Sequence, residues 1–102
     1  MQFKGFRVFE LATRFFQGIK RLQLPRHLRD QMARAAASVA LNAGEGYGRR
    51  TWPDKRRFYQ MALGSMRECQ AILILVDAKD RELLDIADHL AASLYRLCTH
   101  PG

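Results

Sequence analysis

Cysteine and proline are scarce in this 102-residue chain, and each scarcity narrows the range of possible structures. Two cysteines, both inside apolar helical patterns, predict reduced and buried thiols instead of a disulfide framework. Three prolines leave room for long helices. Because the Cys and His residues do not follow zinc-site spacing, we expect neither a metal ion nor a cofactor.

Long apolar runs are missing as well. No run approaches the ~20 residues of a membrane-spanning helix, and the first residues do not follow the order of a signal peptide. We therefore expect a cytoplasmic protein that does not enter a membrane. A hydrophobic content of 48% excludes a disordered tail, and the length predicts a single domain, residues 1–102.

Acidic residues are scarce in the first part of the chain. Residues 1–60 hold thirteen Lys and Arg against four acidic residues, a net charge of +9, whereas residues 61–102 hold four against six, a net charge of −2. Such asymmetry favours a polyanionic partner, nucleic acid before an anionic membrane. A basic surface that serves only solubility is the alternative.

Apolar residues recur every three or four positions in four segments, which predicts four helices. The predicted spans are about 6–23, 26–47, 52–78 and from 80 onward. Pro25 separates the first two, while Thr51 and Asp80 are typical N-terminal caps of the last two. The short loops favour an all-α fold, an antiparallel up-down-up-down four-helix bundle.

A polar stripe follows helix two beside its apolar face, in steps of four and three residues. We expect it to form, with polar residues of helix three, a hydrogen-bonded seam that sets the helix register. The predicted polar seam comprises Gln31, Ser38, Asn42, Glu45, Ser65 and Glu68. A catalytic carboxylate at Glu45 would have no His, Cys or metal-ligand partner at a useful spacing, so we expect no enzymatic activity.

Three phenylalanines, Phe6, Phe9 and Phe16, lie outside the main apolar stripe of helix one. They widen its apolar arc beyond what one pair of neighbouring helices covers. The second apolar face favours an interface between subunits, and a thick core within one subunit is the alternative.

Basic and aromatic residues alternate around the loop between helices two and three. Two arginines follow the end of helix two, where cations are favoured, but the three cations at 55–57 oppose the helix dipole, at roughly 0.3–1 kcal/mol per charge. We interpret this cost as a sign of function. With Trp52 and Tyr59 nearby, the pattern predicts contact with phosphates and a stacked base. The predicted nucleic-acid-binding residues are Arg26, Arg29, Arg49, Arg50, Trp52, Lys55, Arg56 and Arg57.

Residues 31–49, QMARAAASVALNAGEGYGR, resemble the signature of a bacterial family of four-helix bundles, and Gly64-Ser65 with Glu68 resembles its second motif. That family includes the proteins encoded by intervening sequences of large-subunit ribosomal RNA genes. It also includes the accessory variability determinant proteins of diversity-generating retroelements. Gly44 departs from the alanine expected in the signature.

The resemblance implies a barrel-shaped homopentamer with a basic surface and no known enzymatic activity. For the retroelement branch, the resemblance implies that the protein works with a reverse transcriptase and its template RNA. In that role it would support complementary-DNA synthesis and mutagenic retrohoming. In the ribosomal branch the role is unsettled.

We therefore expect a non-catalytic, oligomeric protein with RNA or DNA and a reverse transcriptase as partners. The positive charge favours this nucleic-acid-handling branch. One alternative is a structural interaction module of the ribosomal branch, whose basic surface meets an acidic protein. Another is a nuclease using Glu45 and Glu68, which has little support because two carboxylates on two helices are too sparse for a metal site.

Overall fold

A computed structural model describes Phe3 and residues 6–99. The described residues form four α-helices and one short 3-10 turn. These are α1 (Arg7–Gly18), the 3-10 turn (Ile19–Arg21), α2 (Arg26–Tyr47), α3 (Trp52–Leu75) and α4 (Arg81–Thr99). The prediction of an all-helical fold with four helices is confirmed. None of the described helices combines the length and apolar character that crossing a membrane requires.

Helix one is shorter than predicted. It ends at Gly18, which is buried against α4, since a Cβ added there would lie 2.8 Å from Cδ1 of Leu83. The chain tightens into the 3-10 turn and becomes extended at Leu22. Glycine weakens a helix by about 0.5–1 kcal/mol relative to alanine, and 3-10 turns are common at helix ends.

The helices are antiparallel and form a ring. The largest contact joins α2 and α3, and the pairs α1–α2, α3–α4 and α1–α4 complete the ring. At one end of the bundle the ring of Phe6 stacks on that of Tyr47 with centroids 4.1 Å apart. At the other end Arg21 forms ion pairs with Asp80 and Glu82 at 3.1 and 3.3 Å. The fold is therefore an up-down-up-down four-helix bundle.

One apolar stripe of each helix faces the core. Phe15, Met32, Met66 and Leu90 are among the largest fully buried side chains, one from each helix. Cys69 and Cys98 are buried free thiols. Burial, aided by the charge of neighbouring Glu68, raises the pKa of Cys69 to about 12. This thiol is therefore protonated and unreactive in the folded protein near neutral pH.

The three phenylalanines outside the main stripe of helix one lie against the core of their own subunit. Phe6 is buried, while Phe9 and Phe16 are half-buried and pack against the core. Phe9 also stacks on Phe3, with centroids 4.2 Å apart. The thick-core alternative thus accounts for Phe6, and an interface role for Phe9 and Phe16 stays a prediction.

Side-chain caps begin α3 and α4, as their start signals indicate. Thr51 Oγ1 accepts a hydrogen bond from the backbone N–H of Asp54 at 3.4 Å, and Asp80 Oδ1 accepts one from that of Leu83 at 3.1 Å. The hydrogen bond from the Leu83 N–H, and to a lesser extent that from the Arg21 side chain, lowers the pKa of Asp80 below its usual value of 3.8.

Hydrogen bonds join α2 and α3 along the polar seam. The hydroxyl oxygens of Ser38 and Ser65 lie 2.8 Å apart, and Asn42 Nδ2 donates to the carbonyl and hydroxyl oxygens of Ser38 at 3.0 Å. Gln31 Nε2 donates to Glu68 at 3.0 Å. The Ser38–Ser65 and Gln31–Glu68 bonds link the two longest helices, whereas the Asn42 bonds lie within α2. Glu45, predicted as part of the seam, pairs with Arg49 instead.

Candidate nucleic-acid interface

Cations gather at the end of the bundle where the α2–α3 loop meets the start of α1 and the end of α4. This basic end comprises residues 6–10, 44–60 and 93–99. It carries seven Lys and Arg against three acidic residues, a net charge of +4. The opposite end, residues 17–30 and 70–85, carries six against five, a net charge of +1. The charge asymmetry of the sequence is therefore also an asymmetry in space.

Lys55 closes the end of α2. Its Nζ donates to the carbonyl oxygen of Tyr47 at 2.9 Å and to that of Gly46 at 3.4 Å. The last carbonyl groups of a helix have no partner in the helix and carry the negative end of its dipole. Lys55 thus stabilises α2 although it opposes the dipole of its own helix, α3.

Arg56 joins the start of α3 to the end of α4. Its Nε donates to the carbonyl oxygen of Cys98 at 2.9 Å. With the Gln60 amide oriented to accept, both Nη atoms of Arg56 lie 3.2 Å from its side-chain oxygen. Burial raises the pKa of the Cys98 thiol, and the positive charge of Arg56 partly opposes that rise.

Arg49 and Arg57 both stack on Phe58. Each guanidinium carbon lies 4.5 Å from the ring centroid. Arg49 also pairs with Glu45 at 3.0 Å, and Arg57 pairs with Asp54 at 3.7 Å. Exposed ion pairs contribute only about 0–1 kcal/mol, so their main effect here is to orient the two guanidinium groups.

The cations at 55–57 therefore each have a partner inside the subunit. Their cost at the helix start therefore has a structural explanation, because neighbouring helix ends supply acceptors for Lys55 and Arg56 and a nearby carboxylate pairs with Arg57. The interpretation of that cost as a sign of function stays a prediction. The acceptors of Lys55 and Arg56 are neutral carbonyl oxygens. These bonds hold the two cations in place, and no acidic side chain in the part of the chain that the structure describes pairs with either.

Tyr59 does not offer a ring for stacking, contrary to the prediction. Its side chain is only 4% exposed and packs on Gly46, where an added Cβ would lie 2.7 Å from a ring carbon. Burial, aided by Tyr47, raises the pKa of Tyr59. Trp52, in contrast, is half-buried and borders an open groove on the surface of α3.

Arg26 and Arg29 lie far from the other predicted binding residues. They begin α2, whereas Arg49 and Arg50 follow its last residue. At 1.5 Å per residue, Arg26 and Arg49 are about 34 Å apart along the helix axis. The structure therefore divides the predicted nucleic-acid-binding residues into two groups at opposite ends.

Arg7 and Arg96 belong to the basic end, and the sequence-based prediction did not include them. Both are exposed, Arg7 in the first turn of α1 and Arg96 in the last turn of α4. In an up-down-up-down bundle the first helix begins and the last helix ends beside the α2–α3 loop. The predicted up-down-up-down topology would therefore have been enough to include Arg7 and Arg96 in the prediction.

The carboxylates of the nuclease alternative do not meet. Glu45 pairs with Arg49, and Glu68 accepts from Gln31. The Ser38–Ser65 register places Glu45 and Glu68 about 15 Å apart along the bundle. Among the described residues no group of three or more His, Cys, Asp or Glu side chains could hold a metal ion.

The fold and the site define an antiparallel four-helix bundle that concentrates oriented cations at one end. The chain belongs to the 23S rRNA-intervening sequence protein family, whose model matches residues 5–100. The ribosomal part of the resemblance seen in the sequence is therefore confirmed. A search of curated proteins found no match, and a search of solved structures found none either.

Proposed function

We propose that this protein binds nucleic acid, RNA or DNA, through its basic end and has no catalytic activity of its own. The observation that carries the proposal is the way Lys55 and Arg56 are held. Both donate to carbonyl oxygens of neighbouring helix ends, and within the described residues neither forms an ion pair with an acidic side chain, so their positive charges are held in fixed positions. Cations held in this way meet phosphate groups at a low entropic cost.

The size of the basic end suits a short stretch of single strand. The bundle is 23 by 22 Å in cross-section. At 3.4 Å per phosphate along one strand, about six nucleotides cross such a surface. We therefore expect affinity to rise with oligonucleotide length up to about this size.

The test compares two triple variants with the same change in charge. The basic-end variant replaces Arg7, Arg50 and Arg96 by Gln, and the control variant replaces Arg26, Arg29 and Arg81 by Gln. All six side chains are exposed, and Arg50 is the only member of the basic-end set taken from the predicted residues around the loop. Binding of a labelled single-stranded RNA is measured across a salt series.

The slope of log affinity against log salt reports the number of phosphates contacted, at about 0.7 per contact for single strands. We expect the basic-end variant to lose about two units of slope and the control variant to keep that of the wild type. Equal losses in both variants would contradict a site at one end. An unchanged slope in the basic-end variant would contradict phosphate contact there.

We also propose that the protein forms a homo-oligomer, a pentamer as the family resemblance implies. Large apolar side chains on α2 and α3 are exposed, including Leu41 at 71% and Met61 at 48%. The Ser38–Ser65 register places these two side chains at neighbouring levels of the α2–α3 pair. Exposed apolar surface of this kind favours subunit contacts.

Light scattering tests the assembly. A mass near five subunits is expected for the wild type, and a smaller mass for the double variant Leu41→Glu with Met61→Glu. Tyr95→Glu is the matched control, because Tyr95 is also a large exposed side chain but lies on α4. A monomeric wild type, or equal dissociation by both variants, would contradict this surface.

The more specific form of the proposal is an accessory role beside a reverse transcriptase. It is supported by the basic end and by the resemblance of residues 31–49 to the signature of a family that includes the accessory variability determinant proteins. Such a protein would support template-RNA-primed complementary-DNA synthesis and mutagenic retrohoming. A neighbouring reverse transcriptase gene with paired template and variable repeats would support this form, and a surrounding ribosomal RNA gene would contradict it.

The family match also favours a second candidate, a ribosomal-branch protein that acts as a structural interaction module. Its basic end would then bind an acidic protein. This candidate predicts a complex that survives nuclease treatment of the cell extract, whereas the nucleic-acid proposal predicts that the same treatment releases the partner.

A further inference from the structure

A groove of about 460 Å³ opens beside the first turn of α3. It is lined by Trp52, Pro53, Arg56, Arg57 and Gln60. The half-buried indole of Trp52 packs against the core on one side and borders the groove. Clefts for small organic groups have volumes of roughly 300–1,000 Å³, so this groove has room for one nucleotide but not for a duplex.

Arg56 and Gln60 are fixed within this lining. Arg56 is held by the carbonyl oxygen of Cys98 at 2.9 Å and by the side-chain oxygen of Gln60 at 3.2 Å. Gln60 accepts from Arg56 in this orientation. The groove therefore combines an immobilised cation, a polar amide and an aromatic surface.

The guanidinium group of Arg57 is a second positive charge at the groove. Its guanidinium stacks on Phe58, 4.5 Å from the ring centroid, and pairs weakly with Asp54 at 3.7 Å. Its side chain is nevertheless 60% exposed and can meet a phosphate. Two cations beside a flat apolar surface match one nucleotide, which joins a charged phosphate to a flat base.

We infer that the Trp52 groove takes one unpaired base of a single-stranded nucleic acid. This inference rests on the proposed function and adds a preference for single strands. An acidic peptide would satisfy Arg56 and Arg57 but would leave the indole without a flat partner. In a duplex the bases stay stacked on one another, so the indole cannot reach a base face.

Trp52 is the only tryptophan of the chain, so its fluorescence reports on this groove alone. The probes are a 12-nucleotide oligouridylate, an RNA duplex of the same length and inorganic polyphosphate, which carries charge but no bases. All three are titrated at one salt concentration. We expect quenching and a shift of the indole emission with oligouridylate, and binding of the other two with little change in emission.

Substitutions separate stacking from charge. Trp52→Leu should weaken oligouridylate binding by roughly tenfold, from the loss of one stacked base, and leave polyphosphate binding unchanged. Trp52→Phe, which keeps an aromatic ring, should restore most of the lost affinity. Urea unfolding of each variant identifies any loss of fold, and the wild-type fluorescence result does not depend on the variants.

The outcomes separate this inference from the function it rests on. If polyphosphate, duplex and oligouridylate all fail to bind, the proposed function fails and the base site fails with it. If the probes bind but oligouridylate and polyphosphate change the indole emission equally, the base site alone is overturned. Equal affinity of wild type and folded Trp52→Leu for oligouridylate would overturn it as well.

Discussion

Arg56 Nε donates a hydrogen bond of 2.9 Å to the carbonyl oxygen of Cys98, 42 residues further along the chain. This bond ties the first turn of α3 to the last turn of α4. It also places a cation at the basic end, close to Trp52. One side chain thus serves both the stability of the fold and the chemistry of the proposed site.

Replacing Arg56 by Ala should lower the free energy of unfolding by about 1–3 kcal/mol, because the part-buried carbonyl of Cys98 loses its partner. Urea unfolding followed by circular dichroism measures the change. Arg50→Ala removes the same charge from an exposed side chain, and we expect a change within about 0.5 kcal/mol. Equal effects of the two substitutions would contradict a structural role for Arg56.

Gly46→Ala should destabilise the bundle by about 1–3 kcal/mol, because the new methyl group would overlap the ring of Tyr59, only 2.7 Å away. Gly64 provides the control in α3, since an added Cβ would meet no atom within 4 Å. In an isolated subunit, Gly64→Ala should instead stabilise by about 0.8–1.0 kcal/mol through helix propensity. Thermal unfolding compares the two variants, and a stabilising Gly46→Ala would show that the contact is not tight.

Asp77→Gly should stabilise the end of α3. Asp77 has a φ of 52°, in the left-handed region that costs most residues roughly 1–2 kcal/mol and glycine almost nothing. The bonds from the Ala78 N–H to Leu73 and from the Asp77 N–H to Ile74 form a Schellman cap, which favours glycine at this position.

The exposed ion pair of Asp77 with Lys79 would be lost, but such pairs contribute little. We expect a gain of up to about 1 kcal/mol in urea unfolding. Asp77→Val is the contrasting variant and should lose stability, because a β-branched side chain is unfavourable at positive φ. A destabilised glycine variant would contradict this explanation.

Asp80 should make stability depend on pH in the acidic range. Its pKa in the folded protein lies below the usual 3.8, because the Leu83 N–H and then Arg21 favour the carboxylate. Because the pKa of Asp80 is lower in the folded than in the unfolded protein, its carboxylate stabilises the folded state. This contribution is fully present above about pH 4 and is lost as the pH falls through the pKa of the folded protein.

Urea unfolding between pH 7 and pH 2 tests this linkage. Asp80→Asn keeps a side-chain oxygen for the cap but cannot ionise, so its stability should vary less with pH than that of the wild type. The two stabilities should converge at the acidic end. A constant difference between them across the whole range would argue against a contribution from the Asp80 charge.

Local signals predicted the helices well because they act within a few residues. Thr51 and Asp80 cap α3 and α4 as expected, since a cap needs only the next three residues. The end of helix one was missed because the apolar spacing continues through Ile19 and Leu22 although the α-helix tightens into a 3-10 turn after Gly18. The close packing of Gly18 on Leu83 of α4 is likewise a contact that periodicity does not reveal. For the same reason the burial of Tyr59 against Gly46 could not be foreseen.

The sequence alone was enough to establish the four-helix bundle, the family and the excess of positive charge in the first 60 residues. These depend on composition and on spacing along one chain. Only the tertiary structure decided which cations lie close together. It separated Arg26 from Arg49 by the length of α2 and brought Arg56 to the carbonyl of Cys98. The reason is physical: Arg56 and the carbonyl group that holds it are 42 residues apart in the chain, and only the packing of α3 against α4 brings them together.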